Sequence, residues 1–300
     1  MHIFAFRNAR TWFAATLLTL AASIAPAQAD TVQITYSPAG QTGPNTAAIC
    51  AGASVCDYGM ENFSAWTGSS TFTSYFDDAG AGTHNTLDGS TFVGTYTAGR
   101  NTTTGNGGEW VKQPQNIYGG VTGPYPELYG PKALGGGSGT ASYGLALSAA
   151  GVPGVNYFGV WISALDAYNN LTIYDGQNVI AQFNAATLQA QLGSCPASAY
   201  CGNPTLGEKG ADNGELFAYV NVFDLDGYIT NVVFSDDGAT GFESTNDAVA
   251  YINTVHSVGT VLGAQNVGEP GTLAIFGVAL IGLGLVRRRQ ASLGSALPLG

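Results

Sequence analysis

Apolar and polar residues alternate in short runs along the second half of this chain, the two-residue period of half-buried strands. Ala141–Leu147 alternates in this way. Asn156–Ser163 is apolar on both parities, with Tyr157, Gly159 and Trp161 on one face and Phe158, Val160 and Ile162 on the other. That run predicts a strand in the middle of a sandwich, with Trp161 in the core. Leu171–Tyr174 and Val179–Phe183 flank Asp175-Gly176, a hairpin signal. Leu216–Phe223 and Tyr228–Ser235 flank Leu225-Asp226-Gly227 and predict a second hairpin, and Ala248–Ile252 a closing strand. Ala185–Leu192 is the one short helical candidate.

The first half is weaker. Thr31–Tyr36, Met60–Trp66, Thr71–Phe76 and Thr91–Thr97 read as short strands between loops rich in Gly, Thr and Asn. Asn116–Gly139, dominated by Gly, Pro and Tyr, predicts an irregular loop facing solvent. Asn253–Val267 has no pattern and predicts a stalk. No period of about 20 to 50 residues repeats, which argues against a solenoid or a propeller. The fold class expected is all-β: a jelly-roll-like β sandwich over residues 30–252, then a linker at 253–266.

The alternation stops at both ends. Arg7 and Arg10 precede an uncharged apolar run, Trp12–Ala25, and Ala27-Gln28-Ala29 ends it. These are the three parts of a secretory signal peptide (residues 1–29), cut between Ala29 and Asp30 and handled by the secretory translocon. Near the other end, Glu269-Pro270-Gly271 leads into an apolar stretch, Thr272–Val286, closed by Arg287, Arg288 and Arg289. At ~1.5 Å per residue the stretch spans roughly 22 Å, short for a membrane helix. Pro suits a helix start, and the arginines place that end in the cytoplasm. The expectation is a single transmembrane helix at about 270–286, with a cytoplasmic tail at 291–300.

Removing both ends sharpens the charge. Residues 30–267 keep four of the nine basic residues and nineteen of the twenty acidic ones, a net of −15. Such a surface repels nucleic acid and anionic lipid. Cys50, Cys56, Cys195 and Cys201 all fall in this part, and an even count after a signal peptide implies disulfides. Three connectivities exist. Proximity favours Cys50–Cys56 and Cys195–Cys201, and the spacing does not match zinc ligands.

Candidate chemistry is sparse. His84 lies in a polar loop and His256 in the expected stalk, and neither a G-x-S-x-G elbow nor H-E-x-x-H occurs. The chain therefore reads as a non-enzyme. No cofactor is expected beyond a structural calcium, which needs six to eight oxygens. Asp224 with Asp226, Asp236 with Asp237, and Glu243 with Asp247 are acidic clusters, though Asp is also a turn former. Glu61 and Asp247, near the first and last strands, are the calcium pair to test. Tyr118, Tyr125 and Tyr129, in the Gly/Pro loop, are exposed candidates for stacking on sugar rings.

Two resemblances add to this. Gly268-Glu269-Pro270-Gly271-Thr272-Leu273, the glycine-rich apolar stretch and the arginine cluster resemble the PEP-CTERM sorting tag, here about residues 267–290. The same tag is also catalogued as a C-terminal domain of some ice-binding proteins, a label that describes the tag and not the activity. Gly268 stands where Pro is common, and eleven residues follow the arginines. The resemblance implies recognition and cleavage by exosortase, a membrane-bound transpeptidase-like enzyme of Gram-negative bacteria, and so a chain held only transiently in the membrane. Tyr157-Phe158-Gly159-Val160-Trp161, Asp166 with Tyr168–Tyr174, Tyr219–Phe223, Phe242-Glu243-Ser244 and Asn246-Asp247 resemble a group of exosortase-dependent surface proteins. What this implies is a jelly-roll ectodomain at the cell surface or in the extracellular matrix, among exopolysaccharide. The functional expectation is a structural, adhesive or glycan-binding protein. The alternative is an extracellular carbohydrate-active hydrolase, which would need a carboxylate pair in a concave groove.

Overall fold

Seven consecutive buried residues, Tyr157–Ser163, run through the centre of the molecule. A strand can be apolar on both faces only where both are covered, and the computed structural model covers both. It describes residues 31–77, 91–99, 109–130, 132–133, 139–238 and 240–262. These belong to a unit spanning Asp30–Val267. The expected signal peptide and sorting tag lie outside the described residues. Among the described residues no helix is long and apolar enough to cross a membrane.

In chain order the elements are β1 (Val32–Tyr36), α1 (Thr46–Ile49), β2 (Cys56–Glu61), β3 (Thr71–Ser74), β4 (Thr91–Ala98), β5 (Glu109–Gln113), β6 (Tyr125–Tyr129), β7 (Ala141–Ala150) and β8 (Tyr157–Ser163). They continue with β9 (Asn169–Asp175), β10 (Asn178–Asn184), α2 (Ala185–Leu192), β11 (Cys201–Asn203), β12 (Ala211–Leu216), β13 (Ala218–Asp224), β14 (Asn231–Asp236), β15 (Gly241–Ile252) and β16 (Thr260–Val261). The fold is all-β. One sheet runs β16-β1-β13-β8-β15-β6-β5, with β2 also on β15; the other runs β10-β9-β14-β7-β4-β3; β11 and β12 form a small third sheet.

The two large sheets pack through Phe158, Val160 and Val222 on one side and Leu145, Ile173 and Val232 on the other. Stacked rings thread this core: Trp66 on Trp110 at 4.2 Å, Trp110 on Tyr143 at 5.0 Å and Tyr143 on Phe234 at 4.3 Å. The outer face of the first sheet is covered too. Tyr157 and Phe223 pack under Ile49 of α1, and Trp161 packs with Phe217, Tyr219 and Val121. This is the two-sided burial that the Asn156–Ser163 pattern predicts. The disulfides are Cys50–Cys56 and Cys195–Cys201, which fits an oxidising compartment.

Four expectations need correction. Asn116–Gly139 is not all irregular loop, because Tyr125–Tyr129 forms β6 between β5 and β15. Pro126 is tolerated there because it lies beyond the stretch paired to β15. Leu216–Phe223 and Tyr228–Ser235 do not form a hairpin: β13 pairs with β1 and β8, while β14 pairs with β7 and β9 in the opposite sheet. The first-half strand expected at Met60–Trp66 is Cys56–Glu61, and the chain turns at Phe63 (φ 60°) to bury Trp66. Residues 253–262 of the stretch expected as a stalk fold back on the domain. β16 pairs with β1, Leu262 is buried, and His256 Nε2 lies 3.1 Å from the Ala48 carbonyl.

Candidate functional site

The long strand β15 organises the site. Gly241–Glu243 pairs with β6, Asp247–Ile252 pairs with β2, and β8 runs along the other edge. Between the two halves the register with β8 shifts at Asn246, which has φ 52°. Asn tolerates that conformation, and a bulge re-aims the residues after it. Before the bulge Phe242 and Ser244 face the core, with Ser244 Oγ 2.8 Å from Tyr143 Oη. After it Asp247 faces the core, with Tyr96 Oη donating to its Oδ2 at 2.8 Å. Glu243 and Asp247 are four residues apart and would share a face on a regular strand. The bulge sends them to opposite faces.

Glu243 opens onto a groove of about 400 Å³ on the outer face of the first sheet. Its directly opposed partner on β6 is Glu127. Strand alternation puts Tyr125, Glu127 and Tyr129 on the same face, with Leu128 in the core. Gln113 from β5, Asn116 and Tyr118 from the following loop, Asp166 after β8 and Glu215 from β12 complete the walls. Asn116 shapes the loop: its Oδ1 accepts from Tyr118 N at 2.9 Å, Gly119 N at 3.2 Å and Tyr125 Oη at 3.0 Å. Gly241 is required at the base. A Cβ there would sit 2.5 Å from Glu127 Oε1 and 2.8 Å from Glu243 Oε1.

Glu127 and Glu243 are directly opposed across β6 and β15, and burial, followed by the charges of Glu127 and Asp166, holds the Glu243 carboxyl well above the usual range. Two adjacent carboxyls ionise together only at great cost. Gln113 Nε2 donates to Tyr129 Oη at 2.9 Å. Burial, then the hydrogen bond to Glu127, pushes the Tyr129 phenol up to about 12. Burial also raises Asp166 and Glu215. Among the described residues no lysine or arginine lines the groove.

The three expected tyrosines therefore meet in one groove, with a correction. Tyr118 is exposed, but Tyr125 is only 1 % exposed and sits on a strand, so it is a wall and not a free platform. The carboxyls Glu127 and Glu215 had no sequence motif behind them, and Asp166 stood only at the head of a resemblance motif that assigns it no role. The alternation Tyr125-x-Glu127-x-Tyr129 was the available signal, masked by Pro126 and the surrounding glycines.

Glu61 does lie opposite Asp247, both in the core. Burial first, and then Glu61, raises the Asp247 carboxyl to about 8, while Tyr96 donates to it. The described side chains here offer two carboxyls and one phenol, among the rings of Phe63 and Tyr143, where calcium takes six to eight oxygens. Among the described residues no group of three or more His, Cys, Asp or Glu is placed to hold a metal ion. The other acidic clusters shape turns: Asp224 Oδ1 accepts from Gly227 N at 2.8 Å, Asp226 Oδ1 from Thr31 N at 2.6 Å, and Asp236 Oδ1 from Gly238 N.

No family model, no curated protein and no solved structure matches this chain.

Proposed function

We propose that this chain is an exported surface or extracellular-matrix protein whose domain binds glycans in the groove between β6, β15 and β12. One observation carries the reading: Tyr118, Tyr125 and Tyr129 converge with Gln113, Asn116 and the paired carboxyls on a concavity of about 400 Å³. Ligand sites are concave, with aromatic walls and a few converging polar groups. Sugars offer ring faces for stacking and hydroxyls for carboxylates and amides. The strand order supports a jelly roll, since β2, β15, β8 and β13 in one sheet interleave along the chain with β7, β14, β9 and β10 in the other.

Export rests on the N-terminal pattern ending at Ala29-Asp30 and on the two disulfides. Sorting by exosortase rests on Glu269, Pro270, Gly271 and the arginines 287–289. Binding of the purified chain to a panel of extracellular polysaccharides tests the central reading. Retention that falls with Tyr118→Ala supports it; a blank panel contradicts it.

A second reading, hydrolysis, is favoured by the carboxylate pair in a concave groove. Glu243 would supply the proton, with Asp166 or Glu215 as base. Against it, the carboxyl directly opposed to Glu243 is Glu127, on the same wall of the groove. Release of new reducing ends from a bound polysaccharide, abolished in Glu243→Gln, would establish it.

A further inference from the structure

We propose that the groove recognises a protonated primary amine, so that its glycan carries free amino sugars and not only hydroxyls or acidic groups. The proposal rests on the glycan reading above and narrows it. Glu127, Asp166, Glu215 and Glu243 all line the groove, and none of the lining residues is basic. An acidic sugar would bring a further negative charge to this wall, with nothing to pair it.

The second observation is an orphaned acceptor. Glu243 is only 7 % exposed, and its Oε2 has no hydrogen-bond partner among the described residues. Buried polar atoms are almost always paired, and one left over at a groove marks where a ligand donor belongs. An ammonium group carries three N–H donors. It would satisfy Glu243 Oε2 and bring a positive charge to a groove whose walls also carry Glu127 and Asp166. Charge-assisted bonds of this kind are about twice as strong as neutral ones. Gly241 keeps the two glutamates close, since any side chain there would displace them. Tyr118, exposed at the rim, offers its ring to the sugar face.

The test is calorimetric titration of the purified chain with three probes at about pH 6, where the amine is protonated. The probes are a glucosamine dimer, its N,N′-diacetylated form and dilysine. The glucosamine dimer is expected to bind, and acetylation to weaken it by about tenfold or more. Glu243→Gln and Asp166→Asn should each cause a similar loss, while Asp175→Asn, in the β9–β10 turn, leaves affinity unchanged and controls for general attraction to an acidic protein. Thermal unfolding confirms that each variant is folded. Equal affinity for the free and acetylated dimers overturns the amine inference and leaves the glycan reading standing. Dilysine binding as tightly as the glucosamine dimer also overturns it. Failure of both sugars to bind removes both readings.

Discussion

Strand β15 carries two carboxylate pairs that differ in almost everything but chemistry. Glu243 with Glu127 lines a solvent-filled groove; Asp247 with Glu61 sits in the core beneath Tyr96. Both are cross-strand pairs, and in both burial and the neighbouring carboxylate raise one carboxyl above its usual range. The difference lies in what surrounds them. In the core Tyr96, from the opposite sheet, donates to Asp247 Oδ2, and Asp247 Oδ1 has no partner among the packed rings. Glu243 Oε2 lacks a partner too, but its residue lines the groove. A single bulge at Asn246 separates a core position from a groove position on one strand.

The largest expected effect comes from breaking the core pair. Asp247→Ala leaves the Tyr96 hydroxyl without its acceptor in the core and opens a cavity, and should cost about 3–5 kcal/mol in urea unfolding. Glu243→Ala, at the groove, should cost about 1 kcal/mol or less and abolish ligand binding.

Next is the pH dependence of stability. The folded state raises Asp247 from 3.8 to about 8. Between those values the native chain holds a proton that the unfolded chain has released, so this contribution is fully present below about pH 4 and is lost as pH rises to about 8. Asp247→Asn should flatten that decline in thermal melts across the same window, since an amide keeps the Tyr96 hydrogen bond and does not titrate.

The disulfides separate the regions again. Cys50–Cys56 anchors β2, which carries Glu61, whereas Cys195–Cys201 anchors β11, the partner of β12, which carries Glu215. Replacing the first pair with serines should cost about 2 kcal/mol and leave binding intact. Replacing the second should cost a similar amount and also weaken binding. Gly241→Ala should cost a similarly small amount, about 1 kcal/mol, yet its methyl group should spread the groove glutamates and lower affinity about tenfold.

Much of the sandwich was legible in the sequence, and the site much less so. The β8 run announced two-sided burial because apolar side chains on both parities cannot be half-exposed. The β9–β10 hairpin followed from Asp175-Gly176, and α2 lies where the pattern put it. The β13–β14 turn misled because its chemistry is local while strand pairing is not. Asp224 Oδ1 caps the turn as in a hairpin, yet the chain crosses to the other sheet to bury both faces of β13. Strand β6 was hidden by proline and glycine, and with it the face shared by Tyr125, Glu127 and Tyr129. The bulge left no trace in the alternation around Asn246, so Glu243 and Asp247 read as one acidic cluster. The tyrosines of the groove were visible by type; the carboxyls that define its charge depended on long-range pairing.

The most direct test measures Glu243→Gln and Asp247→Asn side by side, each for unfolding midpoint as a function of pH and for affinity toward the glucosamine dimer. Glu243→Gln should lose about tenfold or more in affinity and keep the part of the pH-dependent decline that Asp247 contributes. Asp247→Asn should keep its affinity and show a shallower decline in stability between about pH 4 and 8. If both variants change affinity alike, or neither does, β15 does not divide a binding pair from a structural one, and the account fails.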